Sequence, residues 1–226
     1  MDLPAPKLLE NQKSYWDKCD ATINGMLGGY EAVHPADIAA SAAFLDDIIP
    51  RAERGRALDC GAGIGRVTSN LLVPAGFATV DLQDISGTFL STAAANVPGN
   101  KLGSLYQSGL AEFDFDVARG RRWDLIWVQW CAIYLKDEAF VSFFRKAAAQ
   151  LTPSAHACVV LKENYLRKND KPLIDESDSS VTRSDVHMKQ LWAAAGLRVA
   201  HEQDQPNWPK SLLPVKMYAL VLLNPT

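Results

Sequence analysis

The run Ala57-Leu58-Asp59-Cys60-Gly61-Ala62-Gly63-Ile64-Gly65-Arg66 constrains the fold more than any other stretch, because an apolar strand runs into a glycine turn and restarts as a helix. Glycines let the backbone bend sharply and let a ligand approach where a β-carbon would block it. The first turn of the helix that follows presents N–H groups with no intrahelical partner. Turns of this kind in α/β chains hold nucleotide-like ligands, or serve only as tight connections. Which ligand is involved has to come from the rest of the chain.

Beyond Gly55 the hydrophobic pattern alternates between two periods. Strands are predicted near 57–60, 77–82, 102–107, 124–129, 155–162, 197–202 and 215–223, and helices near 65–72, 88–95, 137–151 and 182–195. This is a βαβ series, and it predicts an α/β fold with a largely parallel sheet. Continuous apolar runs such as Leu125-Ile126-Trp127-Val128 suit strands covered on both faces. No helix separates the last two strands, so the end of the sheet is expected to be antiparallel. Ahead of the series lie a polar helical stretch at 8–21 carrying the exposed-looking pair Tyr15-Trp16, a glycine-rich loop at 24–30 and an apolar-periodic helix at 35–49. Residues 1–54 therefore read as a helical extension with a substrate loop, and 55–226 as one compact domain.

With 226 residues, 48% of them hydrophobic, the chain can bury one good core. Its formal charge is −3 and it has no Lys/Arg block, which argues against nucleic acid as a partner. Cys19, Cys60, Cys131 and Cys158 are scattered without CxxC or metal-ligand spacing, so reduced thiols and no metal are expected. Residues 1–10 lack a basic region followed by an apolar run, and no later segment reaches the roughly 18 apolar residues of a membrane span. A soluble, monomeric protein of the cytoplasm is expected, with the nucleus as a second compartment and no membrane partner.

A dinucleotide site places a third glycine where this chain has Arg66, and it needs a second mononucleotide unit for which the strands do not suffice. A single adenosine ligand fits better. Asp81 and Asp84 lie near the end of the second predicted strand, where a carboxylate can accept from both ribose hydroxyls; capping of the next helix is the alternative. Gly109-Leu110-Ala111-Glu112-Phe113 follows the third strand, and Gln129-Trp130 ends the fourth beside the same crevice.

Six segments together resemble the protein α-N-terminal methyltransferases: Tyr15-Trp16, Asn24-Gly25-Met26-Leu27-Gly28-Gly29-Tyr30, 58–66, Trp127-Val128-Gln129-Trp130, Lys162-Glu163-Asn164 and Asp178-Ser179-Ser180-Val181-Thr182-Arg183. The glycine motif alone marks the wider class of S-adenosylmethionine-dependent enzymes, while the other blocks are specific to the family and span nearly the whole chain. The resemblance implies a Rossmann-like seven-stranded methyltransferase sheet, mostly parallel with an antiparallel last strand, and extra N-terminal helices. It implies S-adenosyl-L-methionine (AdoMet) as cofactor and S-adenosyl-L-homocysteine as product. The implied partners are protein N-termini of the form Xaa-Pro-Lys or Xaa-Pro-Arg, methylated on the free α-amine.

By the same resemblance Trp16, Gly61, Gly63, Arg66, Asp84, Ile85, Leu110, Ala111 and Gln129 hold the cofactor. Arg66 would meet the methionine carboxylate, Asp84 the ribose, and Leu110–Ala111 the adenine. Leu27, Gly28, Val33, Trp130, Asn164, Asp175, Asp178 and Ser180 bind the peptide, with Trp130 as an aromatic wall for its second-position proline. Asp178, Asn164 and Tyr134 are the expected catalytic residues. The chain departs from the better-known relatives at Tyr134, where they carry histidine, at Leu213, where they carry an aromatic, and at Ala111, where glutamine is common.

Methyl transfer to an amine needs a free lone pair, and an α-amino group with a pKa of about 7.7–8.0 supplies a neutral fraction at pH 7 without a strong base. Alignment matters more. Asp178 is expected to orient the amine and receive its proton, directly or through water, with Tyr134 as a hydrogen-bonding neighbour. The alternative for Asp178, with Ser179 and Ser180, is to cap a helix starting near Thr182. Asp175 is expected to pair with the substrate's third-position lysine. Two other functions fit the same cofactor motif: a small-molecule N- or O-methyltransferase, and a catalytically silent protein that captures N-termini.

Overall fold

The computed structural model describes residues 5–115, 120–168 and 171–223. The chain starts with helices α1 (Ala5–Trp16), α2 (Ile23–Met26) and α3 (His34–Ile48). It continues through β1 (Arg56–Cys60), β2 (Thr79–Asp84), α4 (Gly87–Asn96), β3 (Leu102–Gln107), β4 (Leu125–Gln129), α5 (Asp137–Ala149) and β5 (Cys158–Asn164). A short hairpin follows, β6 (Leu173–Asp175) and β7 (Ser180–Thr182), then α6 (Asp185–Ala194), β8 (Leu197–Asp204) and β9 (Val215–Leu222).

Seven strands form one sheet in the order β3-β2-β1-β4-β5-β9-β8. Pairs from β3 to β5 are parallel, and β9 runs antiparallel to both β5 and β8. Strand order therefore reverses between β1 and β4. At such a switch point the connections leave in opposite directions and open a crevice at the carboxyl ends of the strands.

Alternate residues of the central strands feed two separate apolar layers. Leu58, Ile126, Val128, Val159 and Leu161 pack with α5 and α6, while Ala57, Leu125, Trp127, Cys158 and Val160 pack with α3 and α4. All five residues of β4 are buried, as a strand covered on both faces requires. In α5, Phe140, Phe143, Phe144, Ala147 and Ala148 make one buried stripe at helical spacing, with Asp137 and Glu138 in the first turn, where the helix dipole favours negative charge.

Several boundaries differ from expectation. β2 and β5 lie two to three residues nearer the carboxyl end than the patterns at 77–82 and 155–162 suggest, so Asp84 and Asn164 become strand-end residues. The helix expected at 182–195 begins at Asp185, because 180–182 pairs as a strand with 173–175 and Ser184 supplies the cap, accepting from His187 N at 3.2 Å. The helix expected at 65–72 includes a π-type turn over Thr68–Leu72. The first helix ends at Trp16 instead of reaching residue 21, and Tyr15 and Trp16 are half-buried, not exposed. Cys60 and Cys158 are buried, whereas Cys19 and Cys131 are only partly so; all four are free thiols. No helix among the described residues is long and apolar enough to cross a membrane, and no group of His, Cys, Asp and Glu among them could hold a metal ion.

Candidate active site

The glycine turn at the end of β1 is shaped by what lies against it. Gly61 and Gly63 have φ of 64° and 54°, in the left-handed region. A β-carbon on Gly61 would come within 2.6 Å of Cys131 Cβ, which cannot move aside, whereas one on Gly63 would meet the flexible Met26 Sδ at 2.6 Å, so there the left-handed φ is the stronger constraint. The end of β2 ties the turn down: Gly63 N donates to Asp84 Oδ2 at 2.8 Å, Ser86 N to Asp84 Oδ1 at 2.8 Å, and Gly61 N to Gln83 Oε1 at 3.2 Å. Burial pushes the Asp84 carboxyl upward, opposed by these backbone N–H groups. Asp59, buried at the end of β1, accepts from Thr68 N and Oγ1, and burial raises it to about 7.

A single cavity opens above this turn. Trp16, Gly61, Gly63, Arg66, Asp84, Ile85, Leu110, Ala111 and Gln129, the residues expected to meet a cofactor, all line it. So do Leu9 and Gln12 of α1, Met26 at the end of α2, where a loop from 24 was expected, and Phe89, Trp130 and Tyr134. The donor set fits AdoMet: a carboxylate with lone pairs left for vicinal hydroxyls, a guanidinium for a carboxylate, an unhindered glycine backbone, and aromatic and aliphatic walls for a purine.

One wall of the cavity rests on a carboxylate with no solvent exposure, Asp37 of α3. Arg66 Nη1 donates to its Oδ2 at 2.7 Å, Gln129 Nε2 to its Oδ1 at 2.8 Å, and Lys162 Nζ stands 2.6 Å from Oδ1. Lys162 Nζ also donates to Asp37 O at 3.0 Å and Ser41 Oγ at 2.8 Å. Burial would raise Asp37, but the ammonium of Lys162 and the guanidinium of Arg66 outweigh it and hold the carboxyl below its usual value. Burial draws Lys162 down to about 8, partly offset by Asp37, so at neutral pH both partners are ions. Gln129 Oε1 accepts from Trp127 Nε1 at 2.9 Å, which fixes the orientation of the amide. Arg66 Nη1 also lies 3.1 Å from His34 Nδ1, whose imidazole is held low by burial and the Arg66 charge and so accepts through that nitrogen.

Of the three expected catalytic residues only Tyr134 lines the cavity, and its O–H donates to Asp178 Oδ2 at 3.0 Å, while Ser180 N donates to Asp178 Oδ1 at 2.9 Å. Burial, then the Asp178 charge, pushes the Tyr134 phenol far above its usual value, so it stays a donor. The capping alternative for Asp178 is thus replaced: Ser184 caps α6, while Asp178 closes an Asx turn ahead of β7 and faces Tyr134. Gln12 Nε2 donates to Tyr134 O at 3.0 Å, and the Trp16 ring packs edge-on 6.2 Å from the Tyr134 ring, so α1 closes over this corner. Asn164 is half-buried at the end of β5, and Trp130 has φ of 52° with the Arg66 guanidinium 5.4 Å from its ring centroid.

The remaining expected peptide contacts are more dispersed. Asp175 is exposed at the hairpin tip, accepting from Ser177 N and Oγ at 2.9 and 2.6 Å. Ser180 is buried, and its main chain holds Asp178. Leu27 and Val33 are buried, while Gly28 is exposed with φ of 57°; it is their neighbour Met26 that reaches the cavity. Sequence reasoning did not single out Asp37, Gln12, Leu9 or Phe89, and took Met26 only as part of the glycine-rich block, without a role.

Comparison with known proteins adds to this geometry. A family model described as AdoMet-dependent proline di-methyltransferase matches residues 5–221. The chain is 38% identical to alpha N-terminal protein methyltransferase 1 of Dictyostelium discoideum, across 95% of this chain and 79% of that protein. It is 35% identical to N-terminal Xaa-Pro-Lys N-methyltransferase 1-B of Xenopus laevis, across 92% of each. A solved SAM-dependent methyltransferase from Leishmania major superposes with a TM-score of 0.86 at 39% identity, covering 94% of this chain and 82% of that one. This chain therefore belongs to the family of AdoMet-dependent α-N-terminal protein methyltransferases.

Proposed function

We propose that this protein methylates the free α-amine of protein chains that begin Xaa-Pro-Lys or Xaa-Pro-Arg. The observation that carries the reading is that Tyr134, which lines the cavity together with the glycine turn, Gln129 and Trp130, donates to Asp178 just behind that lining. Gly61, Gly63, Arg66, Asp84 and Gln129 would hold AdoMet, which supplies a sulfonium methyl group when bound. Asn164 and Asp178 orient the amine, and Asp178 takes its proton directly or through water. The Tyr134 phenol, fixed as a donor, orients the Asp178 carboxylate from the cavity wall and does not act as the base.

Trp130 offers its ring to the second-position proline, which has no N–H to leave unsatisfied against an apolar wall. Asp175, at the exposed tip of the hairpin, pairs with the third-position cation and contributes about 1 kcal/mol or less. Leu27, Gly28 and Val33 shape the chain's path past the glycine loop. Incubation of the purified protein and AdoMet with an Ala-Pro-Lys peptide and with its N-acetylated form tests the reading. Methylation of the free peptide alone supports it, and equal methylation of both contradicts it.

A further inference from the structure

β8 and β9 are joined by a ten-residue loop, 205–214, that is pinned at both ends. Gln205 N donates to Val215 O at 2.8 Å, and Gln205 Nε2 donates to Ala36 O of α3 at 3.0 Å. Pro214 O accepts from Tyr165 N at 3.0 Å, one residue beyond Asn164. Between these anchors Pro206 and Pro209 bracket Asn207, at φ of 53°, and Trp208. Asparagine tolerates the left-handed region and proline fixes φ, so the bend that presents Trp208 is set by the local sequence.

The indole of Trp208 donates through Nε1 to Leu213 O at 2.9 Å, which satisfies its polar atom within the loop and fixes the ring's orientation. Its ring centroid lies 6.1 Å from that of Trp130 with the planes 38° apart. Trp123, Trp127 and Trp192 are almost completely buried in the core, whereas Trp208 is half-buried and packs on Trp130, which with Trp16 lines the cavity wall. The two rings present a largely apolar corner, in which Trp130 Nε1 is a buried donor with no partner among the described residues, and their contact holds the Trp130 ring in one orientation.

We propose that Trp208 is a specificity-determining residue that completes, with Trp130, the subsite for the substrate's second residue. The proposal rests on the function proposed above. A pyrrolidine ring can be desolvated against this corner at no cost in hydrogen bonding, while any other residue brings an amide N–H into it. Selectivity for proline over alanine at the second position should therefore depend on Trp208, whereas cofactor binding should depend on it far less, because Trp208 reaches Arg66 only through Trp130, and Asp84 and the glycine turn lie on other elements.

The test compares wild-type protein with Trp208→Ala and Trp208→Phe on two peptides that differ only in having Pro or Ala at the second position. The readouts are kcat/KM, peptide Kd where turnover is too slow to measure, and AdoMet Kd. Trp208→Ala is expected to weaken the Pro peptide by about tenfold and the Ala peptide by less than about twofold, with Trp208→Phe keeping most of the wild-type ratio. AdoMet affinity should stay within about twofold of wild type in both variants. If thermal melting shows that Trp208→Ala is unfolded, Trp208→Leu takes its place with the same expectation. Equal losses on both peptides, or an unchanged Pro/Ala ratio, overturns the proposal while leaving the proposed function standing. A wild-type protein that methylates no Xaa-Pro-Lys peptide overturns both.

Discussion

Lys162 and Asp37 form an ion pair at 2.6 Å between β5 and α3 with neither side chain exposed to solvent, and the same carboxylate holds Arg66 and Gln129. The N-terminal helices are thereby joined to the cavity wall through charge. Removing one partner of such a pair leaves the other buried and uncompensated. Lys162→Met is expected to cost about 3–5 kcal/mol, a fall in Tm of roughly 6–20 °C by thermal melting. AdoMet affinity should fall with it, because Asp37 would redistribute among Arg66 and Gln129; an unchanged melting curve would show that the pair is not a constraint on the fold.

Asp178→Asn keeps the size and the Asx turn while removing the negative charge that faces Tyr134. Turnover on an Xaa-Pro-Lys peptide should drop at least about tenfold with AdoMet Kd nearly unchanged. Steady-state kinetics beside calorimetric cofactor binding reads both quantities, and an equal loss in each would remove Asp178 from the chemistry.

Tyr134→Phe deletes the 3.0 Å bond to Asp178 without altering ring packing against Trp16. Since the phenol stays protonated, its loss should lower kcat by roughly 3–10-fold through misorientation of Asp178, the worth of an ordinary hydrogen bond of about 0.5–1.5 kcal/mol. The same profile of rate against pH should persist in shape from pH 6 to 9. A new rise in activity at high pH in the wild type that the variant lacks would instead make the phenol a base.

Asp175→Asn should weaken peptides with lysine at the third position by about fivefold or less and spare those with an uncharged residue there, as an exposed pair would. Competition between the two peptides in one reaction measures the ratio directly. No change in that ratio would place the third-residue contact elsewhere.

Stability should fall as pH rises through neutrality. Burial raises Glu163 from 4.5 to about 8 and Asp59 from 3.8 to about 7, so the folded chain binds these protons more tightly than the unfolded chain. Their contribution is complete below the ordinary carboxylate range and is lost as pH rises through the folded values. Each group sets a slope of up to about 1.4 kcal/mol per pH unit. Glu163→Gln retains an oxygen for Asn164 N, now 2.9 Å from Glu163 Oε1, and should make the decline of Tm between pH 5.5 and 8 shallower than in wild type. Parallel curves for the two proteins would contradict the protonated state of Glu163.

Local signals carried most of the architecture into the sequence. The glycine turn, the apolar runs of β4 and β5 and the missing helix before β9 each lie within a short window, and each points to the sheet that forms. Asp37 was not legible because a carboxylate in the first turn of an apolar-periodic helix reads as a solvated end residue, and its partners Arg66 and Gln129 are 29 and 92 residues away. The β6–β7 hairpin was hidden because Leu173–Asp175 is exposed along its whole length and lacks the alternation that marks a half-buried strand. Trp208 read as part of an unremarked loop, since only the fold brings it to Trp130.

The central claim is that the cavity delivers a methyl group to a chain's terminal nitrogen. Tandem mass spectrometry of an Ala-Pro-Lys peptide after incubation with the protein and AdoMet locates the added mass by fragment. The proposed function predicts it on the first residue's α-nitrogen. Methylation found only on the lysine ε-amine, or on no atom of the peptide, would contradict the assignment of the site.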